Sequence, residues 1–508
     1  MAINQSSGQG ALFELVARGV KDNYFVKDSK ESIFPFSARY GSSMPHLAER
    51  RTTVPITRTD FGRTFEVEID AYGDIMTECA FEIDLPTWLP HLPLQSLQLL
   101  QSGLQPLQSG LQPLQPLDPS IVNNLYPITA NGTSYGYVNG IGYFLFESIQ
   151  LYQDQFLLQE WSGDMLYVKQ LTEGSNNSSG LAQSQAGVTG SSIRALQMRA
   201  TPGHLRVYLP LPGMQCPGDA GFPLAALPYQ TFRIKATLRK LEDLVVCSDD
   251  TVRKPAPWTL PSFQVAYPTG AQTVVPLSLV QMGAPTILLS TVQHYVNPED
   301  MQELTSKPIQ IPFRKQFENN FTFGELDYIP LDKGSQAVAT RYIDGRHPAE
   351  RLFWFFRNWN TLDQNRLDVL YNDYFDKSPT TATQPLPKPY GSFYYGIKLN
   401  IAGKEREDLY DGSLWNQIVP VAKHEKYSGI GSMMWSLGDT YGTVYPAPRA
   451  PEGTVNFTTA DRPTMYIQLA NIVSNRWLAA RKSEFRVYVE SWNMYEIVGG
   501  RGRLGFAN

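Results

Sequence analysis

Charge is scarce in this chain. Only 18% of its 508 residues are Asp, Glu, Lys or Arg, the formal net charge is −5, and no long basic run occurs. The electrostatic footprint of a nucleic-acid-binding surface is therefore missing, and direct nucleic-acid contact is not expected. Cysteine is scarcer still. Cys79, Cys216 and Cys247 lie no closer than 31 positions apart, which argues against a disulfide framework and for a reducing compartment. No apolar run approaches the ~18 residues of a membrane span. The opening MAINQSSGQG has neither a basic nor an apolar signal region, so no secretory signal is expected. Histidine is dispersed as His46, His91, His204, His294, His347 and His424. That spacing excludes an HExxH motif or a neighbouring ligand pair, so no metal and no cofactor are expected.

What the chain does have is turns and aromatics, with Gly 39, Pro 37, Tyr 27 and Phe 25, a composition that leans towards β structure. In FGRTFEVEIDAYGDIMTECAFEIDLP (Phe61 to Pro86), Phe65, Val67 and Ile69 alternate with acidic residues. Gly73-Asp74 breaks the run, and Phe81, Ile83 and Leu85 resume it. Period two on both sides of a turn predicts a hairpin with one wet face and one core face. The same alternation marks Leu205 to Leu211, Thr231 to Leu241, Tyr395 to Gly403, Thr464 to Ala470 and Glu484 to Trp492. Helical patterns are few and short: Leu12 to Val20, Asp164 to Leu171, Pro298 to Thr305 and Leu362 to Tyr374. Many strands and few helices predict antiparallel sandwiches or barrels.

Three segments depart from the strand pattern. One, about Thr87 to Asn124, contains LQSGLQP twice in tandem, with leucines at the three- and four-residue spacing of a coiled coil. One Gly and one Pro in each unit cost a helix interior roughly 4 kcal/mol, and no charge flanks the seam between Leu94 and Leu117. An extended or turn-rich loop is the expectation. The others are the Gly/Ser-rich stretch Gly174 to Ser192 and the Pro/Thr-rich Ser378 to Pro389. By composition alone, Cys247 to Ser262 reads as a linker.

Two catalytic patterns match by letter and fail in context. GTSYG (Gly132 to Gly136) has no strand-to-helix setting for a nucleophile elbow and reads as a turn. GGRGRLG (Gly499 to Gly505) has the GxGxxG spacing, but too few residues follow to form the helix that would face a pyrophosphate. Carboxylates fall mainly on the polar faces of strands, where solvation is the default. No catalytic residue is assigned. Asn4, Asn131, Asn176, Asn177, Asn320 and Asn456 stand in N-x-S/T and are formal glycan acceptors.

Taken in order, several segments resemble the major capsid proteins of nucleocytoplasmic large DNA viruses, the group that includes chlorella viruses and iridoviruses. They are LFELVARGVKDNYF (Leu12 to Phe25), FGRTFEVEIDAYGDIM, FESIQLYQDQFLLQEWSGDMLYVKQLT (Phe146 to Thr172) and YLPLPGMQCPGDAGFPLAALPYQTFRIKATLR (Tyr208 to Arg239). GIKLNIAGKERE, GTVNFTTAD and the ending YVESWNMYEIVGGRGRLGFAN follow. In the fourth segment Gln230 replaces a His of the family pattern.

The resemblance implies an all-β chain of two consecutive eight-stranded antiparallel jelly rolls with long loops and a few short helices. It divides the chain into an N-terminal arm (1–25), a first roll (26–297), a connector (298–307) and a second roll (308–508). It implies a structural, non-enzymatic subunit of an icosahedral capsid, assembled in the host cytoplasm. Three copies would form a pseudo-hexagonal capsomer, contacting neighbouring capsomers, minor capsid and penton proteins and, through the arm, an internal membrane. A carbohydrate-binding or carbohydrate-cleaving β-sandwich is the alternative that the residues leave open.

The resemblance places the insert in the family's D-to-E connection of the first roll, which it implies rises on the outward side of the capsomer. Deleting Leu97 to Pro116 should therefore leave the circular dichroism spectrum and the trimer mass unchanged; a deletion protein that cannot fold would contradict this.

Overall fold

Eight strands between His46 and Val296 build two four-stranded antiparallel sheets. The strands are β1 (His46–Pro55), β2 (Thr64–Glu68), β3 (Ile75–Asp84), β6 (Phe146–Gln153), β7 (Phe156–Trp161), β8 (Leu205–Tyr208), β9 (Phe232–Leu238) and β13 (Thr286–Val296). Hydrogen bonding orders them β1-β13-β3-β8 and β2-β9-β6-β7. Lettered B to I along the chain, the two sheets are BIDG and CHEF, which is jelly-roll connectivity. The computed structural model describes residues 46–86, 128–130, 133–173, 186–188, 195–196, 199–200, 202–215, 221–249, 251–259, 262–266, 272–276, 283–296, 301–302, 305–324, 327, 337–358, 362–370, 394–405, 409–420, 429–435, 453–460, 463–469 and 483–506. The N-terminal arm, the Leu/Gln/Pro insert, the 174–192 stretch apart from 186–188, and Ser378 to Pro389 lie outside these residues.

The same order recurs downstream. Strands β14 (Ile309–Phe323), β15 (Val338–Tyr342), β16 (Pro348–Asn358), β17 (Tyr394–Ile401), β18 (Lys404–Glu405), β19 (Tyr410–Asp411), β20 (Gly431–Met434), β21 (Val455–Asn456), β22 (Thr464–Leu469), β23 (Ser483–Val498) and β24 (Arg501–Leu504) form a second pair of sheets. Their orders are β14-β23-β16-β20 and β15-β22-β17-β18, with β19 also on β17, β21 on β16 and β24 on β23. Again these are BIDG and CHEF, with strand F in two short pieces. A fifth sheet, β10-β5-β4-β11-β12, joins β4 (Ile128–Ala130) and β5 (Thr133–Tyr137) from the D-to-E connection of the first roll to β10 (Val245–Cys247), β11 (Ser262–Ala266) and β12 (Gln272–Pro276) from its H-to-I connection. The linker-like stretch at 247–262 thus runs between two paired strands. Helices are short: α1 (Ile141–Phe144), α2 (Gly163–Glu173) and a segment over 412–420.

Each sandwich is closed by alternation. In β9 every second residue of FRIKATL is buried, and β2 and β17 follow the same rule. Phe81 packs edge-on against Phe65 at 5.8 Å and stacks on Phe146 at 5.1 Å, joining the two sheets of the first roll. In the second, Phe356 stacks on Phe485 at 4.4 Å and Tyr394 at 5.5 Å, above Trp354.

The expected hairpin over Phe61 to Pro86 is corrected. β2 pairs with β9 and β3 with β13 and β8, so the turn at Gly73 carries the chain from one sheet to the other. The alternation is real, but the apolar faces of β2 and β3 meet across the sandwich instead of lying side by side. Two smaller expectations also change. Residues 133–136 of GTSYG lie in strand β5, with Ser134 buried and its N–H donating to the Ser248 hydroxyl at 3.0 Å, and Gly132 lies outside the described residues. Over Leu362 to Tyr374 the described part is helical only at 362–363 before turning at Asn365, whose φ of 60° stops the helix. Of Pro298 to Thr305, residues 301–302 and 305 are helical and the rest lie outside the described residues.

Because Phe81 links both sheets of the first roll and is fully buried, Phe81→Ala should cost about 3–5 kcal/mol. Equilibrium denaturation measures this, and a cost under about 1 kcal/mol would contradict the facing-sheet arrangement.

Candidate functional site: the buried interface between the two sandwiches

Strands β14 and β23 run for 15 and 16 residues, about 50 Å at ~3.4 Å per residue. They outreach the sandwich they close. Ile309, Ile311, Phe313, Tyr495 and Ile497 pack into the hydrophobic cluster of the first roll, and nearly all of β23 is buried on both faces. In β16 the sequence RLFWFFR serves two sides at once. Leu352, Trp354 and Phe356 enter the core of the second roll, while Phe353 and Phe355 face outwards and are covered by Met165 and Val168 of α2.

The sequence places α2 there for a local reason. Strand β7 ends at Trp161 and passes straight into the helix, with the Ser162 hydroxyl accepting the Met165 N–H at 3.2 Å. Gly163 is required at the bend, since a Cβ would lie 2.2 Å from the Tyr143 carbonyl oxygen and 2.4 Å from that of Phe146.

Charge fills the rest of the interface. Asp164, fully buried at the start of α2, meets three guanidinium groups: Arg357 Nη2 at 2.5 Å from Oδ1, and Arg239 Nη2 at 2.7 Å and Arg486 Nη1 at 2.9 Å from Oδ2. Arg486 continues to Glu318 at 3.0 Å and to Glu484. One turn along α2, Lys169 Nζ donates to Glu490 Oε1 at 3.0 Å; Glu490 also accepts from Arg351 and, at 2.8 Å, from Gln316. Arg314 pairs with Glu350 at 2.8 Å. The arginines also stack on aromatic faces, Arg314 on Trp492 at 4.6 Å and Arg357 on Phe355 at 4.6 Å, the planar guanidinium serving both roles.

Amide side chains complete the contact. Gln215 accepts the Arg314 N–H at 2.6 Å and donates to its carbonyl at 2.8 Å, where Gln159 also donates at 3.0 Å. Asn365 donates to the carbonyls of Glu242 and Val245 at 2.5 and 2.7 Å. The GGRGRLG segment is a two-residue hairpin turn at Gly499-Gly500, both with positive φ, followed by β24. Gln230 accepts the Gly502 N–H at 2.6 Å, and Gln153 bridges the Gly502 carbonyl at 2.7 Å and the Tyr495 hydroxyl at 2.9 Å. A Cβ on Gly502 would lie 1.9 Å from that hydroxyl oxygen.

Burial by itself pushes the Asp164 carboxyl up, but Arg357, Arg486 and Arg239 outweigh it and hold the group well below the usual carboxylate range. Glu490 is likewise pushed up by burial and drawn far down by Arg351, Lys169 and Arg314. Burial wins at Glu350, which stays above its ordinary value despite Arg314, and at Lys169, which is lowered despite Glu490. The arrangement acts as a lock: each of these carboxylates is held by a cation from another segment, which fixes one element against the next. Among the described residues no group of His, Cys, Asp or Glu has the arrangement of a metal site.

The expectation that carboxylates are mainly solvated on polar strand faces is corrected at Asp164, Glu350 and Glu490, each 1% exposed or less. A signal was present in the sequence: RLFWFFR breaks the two-residue rhythm, as a strand buried on both faces does. Of the glycan acceptors, Asn320 is exposed on β14, while Asn456 is buried in β21 with its Oδ1 accepting the Thr458 N–H at 3.0 Å. Asn4, Asn131, Asn176 and Asn177 lie outside the described residues.

No protein-family model matches the chain. A 111-residue stretch, 22% of the chain, is 25% identical to the major capsid proteins of Phaeocystis pouchetii virus and of Chrysochromulina ericina virus. That stretch covers 20% and 18% of those proteins, so the match spans about a fifth of their length. Over 92% of the chain the fold is similar to PBCV-1 VP54, with a TM-score of 0.60, 15% identity and 99% of that protein covered. Over 90% it is similar to the Faustovirus major capsid protein, with a TM-score of 0.55, 12% identity and 92% covered. The chain thus resembles major capsid proteins of large DNA viruses and has the double jelly-roll fold.

Removing the central charge leaves the buried Arg357 and the partly exposed Arg239 and Arg486 without their shared partner, so Asp164→Asn should destabilise the protein by about 3 kcal/mol. Because the Asp164 pKa is depressed on folding, its contribution is complete above about pH 4 and is lost as pH falls towards the folded value. The stability gap between wild type and Asp164→Asn, followed by thermal melting, should narrow below about pH 4; a constant gap would refute the charged lock.

Proposed function

We propose that the chain is a structural major capsid protein of a large double-stranded DNA virus, with three copies forming a pseudo-hexagonal capsomer that tiles an icosahedral shell. The observation that carries this reading is the rigid coupling of two sandwiches of identical strand order. Three chains would present six similar sandwiches, a near-hexagonal outline made from one polypeptide. Such tiling needs a fixed angle between sandwiches, and the Asp164 and Glu490 networks supply one. The similarity to capsid proteins in both sequence and fold supports the same role.

On this reading the chain divides into arm (1–25), first roll (26–297), connector (298–307) and second roll (308–508). Its place is the virion shell, after assembly in the host cytoplasm. Its neighbours are other capsomers, minor capsid and penton proteins and, through the arm, the internal membrane. The site locks geometry and carries no turnover. Asn320 is the acceptor best presented for a glycan.

Sedimentation or light scattering of purified protein should give a mass of three chains, and electron microscopy six-lobed particles. A single-chain species that binds sugar saturably would favour the carbohydrate-binding alternative and overturn the proposal.

A further inference from the structure

His347 closes the turn between β15 and β16 with its ring in an aromatic slot. The residue is 5% exposed, and its Nε2 is buried without a hydrogen-bond partner. The imidazole lies between two phenyl rings, with centroids 5.7 Å away at Phe317 and 5.5 Å away at Phe506. Its backbone is fixed. The His347 N–H donates to the Thr458 hydroxyl at 2.8 Å, its carbonyl accepts the Phe457 N–H at 3.0 Å, and a φ of 68° puts the residue in the left-handed region. Phe317 is fixed too, since it packs on the hydrophobic cluster of the second roll. Phe506 is only partly buried; its N–H donates to Asn493 Oδ1 at 3.1 Å, and its carbonyl accepts from Asn493 Nδ2 at 3.3 Å.

Phe506 belongs to a strap laid across both rolls. Gln153 and Gln230 of the first roll hold β24 at Gly502. The Gly505 N–H then donates to the Met494 carbonyl at 2.6 Å, and Phe506 reaches His347 on the second roll. Among the described residues the charges acting on the imidazole are of one sign. Burial, Lys315 of β14 and Arg346 of the same turn push the ring down to about 4. Lys315 is itself 9% exposed and is lowered to about 8 by burial and Arg346, with Glu160 of β7 opposing. From β23 and the 457–458 segment come Asn493 and Thr458, which do not titrate. Phenyl faces attract a cation, but the Lys315 amine already lies 5.9 Å from the Phe317 ring, and burial outweighs that attraction.

We propose that protonation of His347 ejects Phe506 from its slot and releases the 505–506 end of the strap from the second roll, while β24 stays on the first. His347 and Phe317 are held by the second roll, so Phe506 is the ring that leaves, and water then reaches the charged imidazole. The latched ring binds a proton less readily than a solvated one, whose pKa is about 6.5. Latching is therefore complete above that pH and weakens as pH falls towards 4. From pH 7 to pH 5 the ratio of released to latched strap rises about tenfold. The latch works within one chain and does not rest on the capsomer reading.

Hydrogen–deuterium exchange read by mass spectrometry tests this on the full chain, with rates corrected for the intrinsic pH dependence of exchange. The readout is the peptide holding Gly505 and Phe506, and a peptide from β9 is the folding control. At pH 5 the Asp164 lock is still charged. In wild type the strap peptide should exchange about tenfold faster at pH 5 than at pH 7, while β9 stays protected. His347→Phe keeps a ring in the slot and takes no proton, so its strap should exchange at one rate at both pH values. Should Phe at a positive φ cost that variant its fold, His347→Asn suits the backbone and should likewise show no acceleration. A wild-type strap that exchanges equally at both pH values overturns the proposal. So does acid acceleration that β9 shares, or that persists in a folded variant lacking the imidazole.

Discussion

One buried carboxylate does most to determine how this molecule is put together. Asp164 opens the helix that follows strand F of the first roll, and its partners come from three other segments: Arg239 after β9, Arg357 at the end of β16 and Arg486 in β23. Charges taken out of water in this way add little net stability compared with a well-packed apolar contact. Their effect is on geometry. An apolar face tolerates sliding by a residue, whereas a buried carboxylate paired with three guanidinium groups from three other segments loses those ion pairs if it moves by one. The second network at Lys169 and Glu490, one helical turn away, removes the remaining rotation about that point.

From this constraint the odd features of the second roll follow. Its BIDG sheet must be apolar on the side facing its own CHEF sheet and both apolar and charged on the side facing the first roll. Strands β16 and β23 therefore lose the simple alternation that β9 and β17 keep. The extended ends of β14 and β23 carry their side chains into the neighbouring hydrophobic cluster, and the Gly499-Gly500 turn folds β24 back where Gln153 and Gln230 hold it. Sandwich cores give each roll its shape; the polar seam gives the pair its angle.

Much of the fold was legible in the residues, and what was not has a common cause. Period-two alternation located β2, β3, β9, β17 and β22, because a half-buried strand writes its exposure directly into its sequence. Alternation says which face is buried and nothing about what lies against it, so Phe65 and Phe81 read as neighbours in a hairpin when they are opposed across a core. The polarity of Asp164 and Glu490 suggested solvent for the same reason: a charged residue on a strand or helix looks identical whether water or a guanidinium group satisfies it. Asn365 shows the limit from another side, since the segment at Leu362 has helical spacing and yet turns where that side chain captures two carbonyls of the first roll.

The sequence by itself settled the class of structure: scarce charge, few cysteines, dispersed histidines and alternating strands leave little besides antiparallel sandwiches, and the ordered resemblance to capsid proteins made them a tandem pair. Only the tertiary structure decided which strands share a sheet and which charges are dry. The physical reason is range. Exposure pattern and backbone preference are properties of a few consecutive residues, whereas an ion pair such as Lys169 with Glu490 joins groups more than three hundred positions apart and exists only once both rolls have closed.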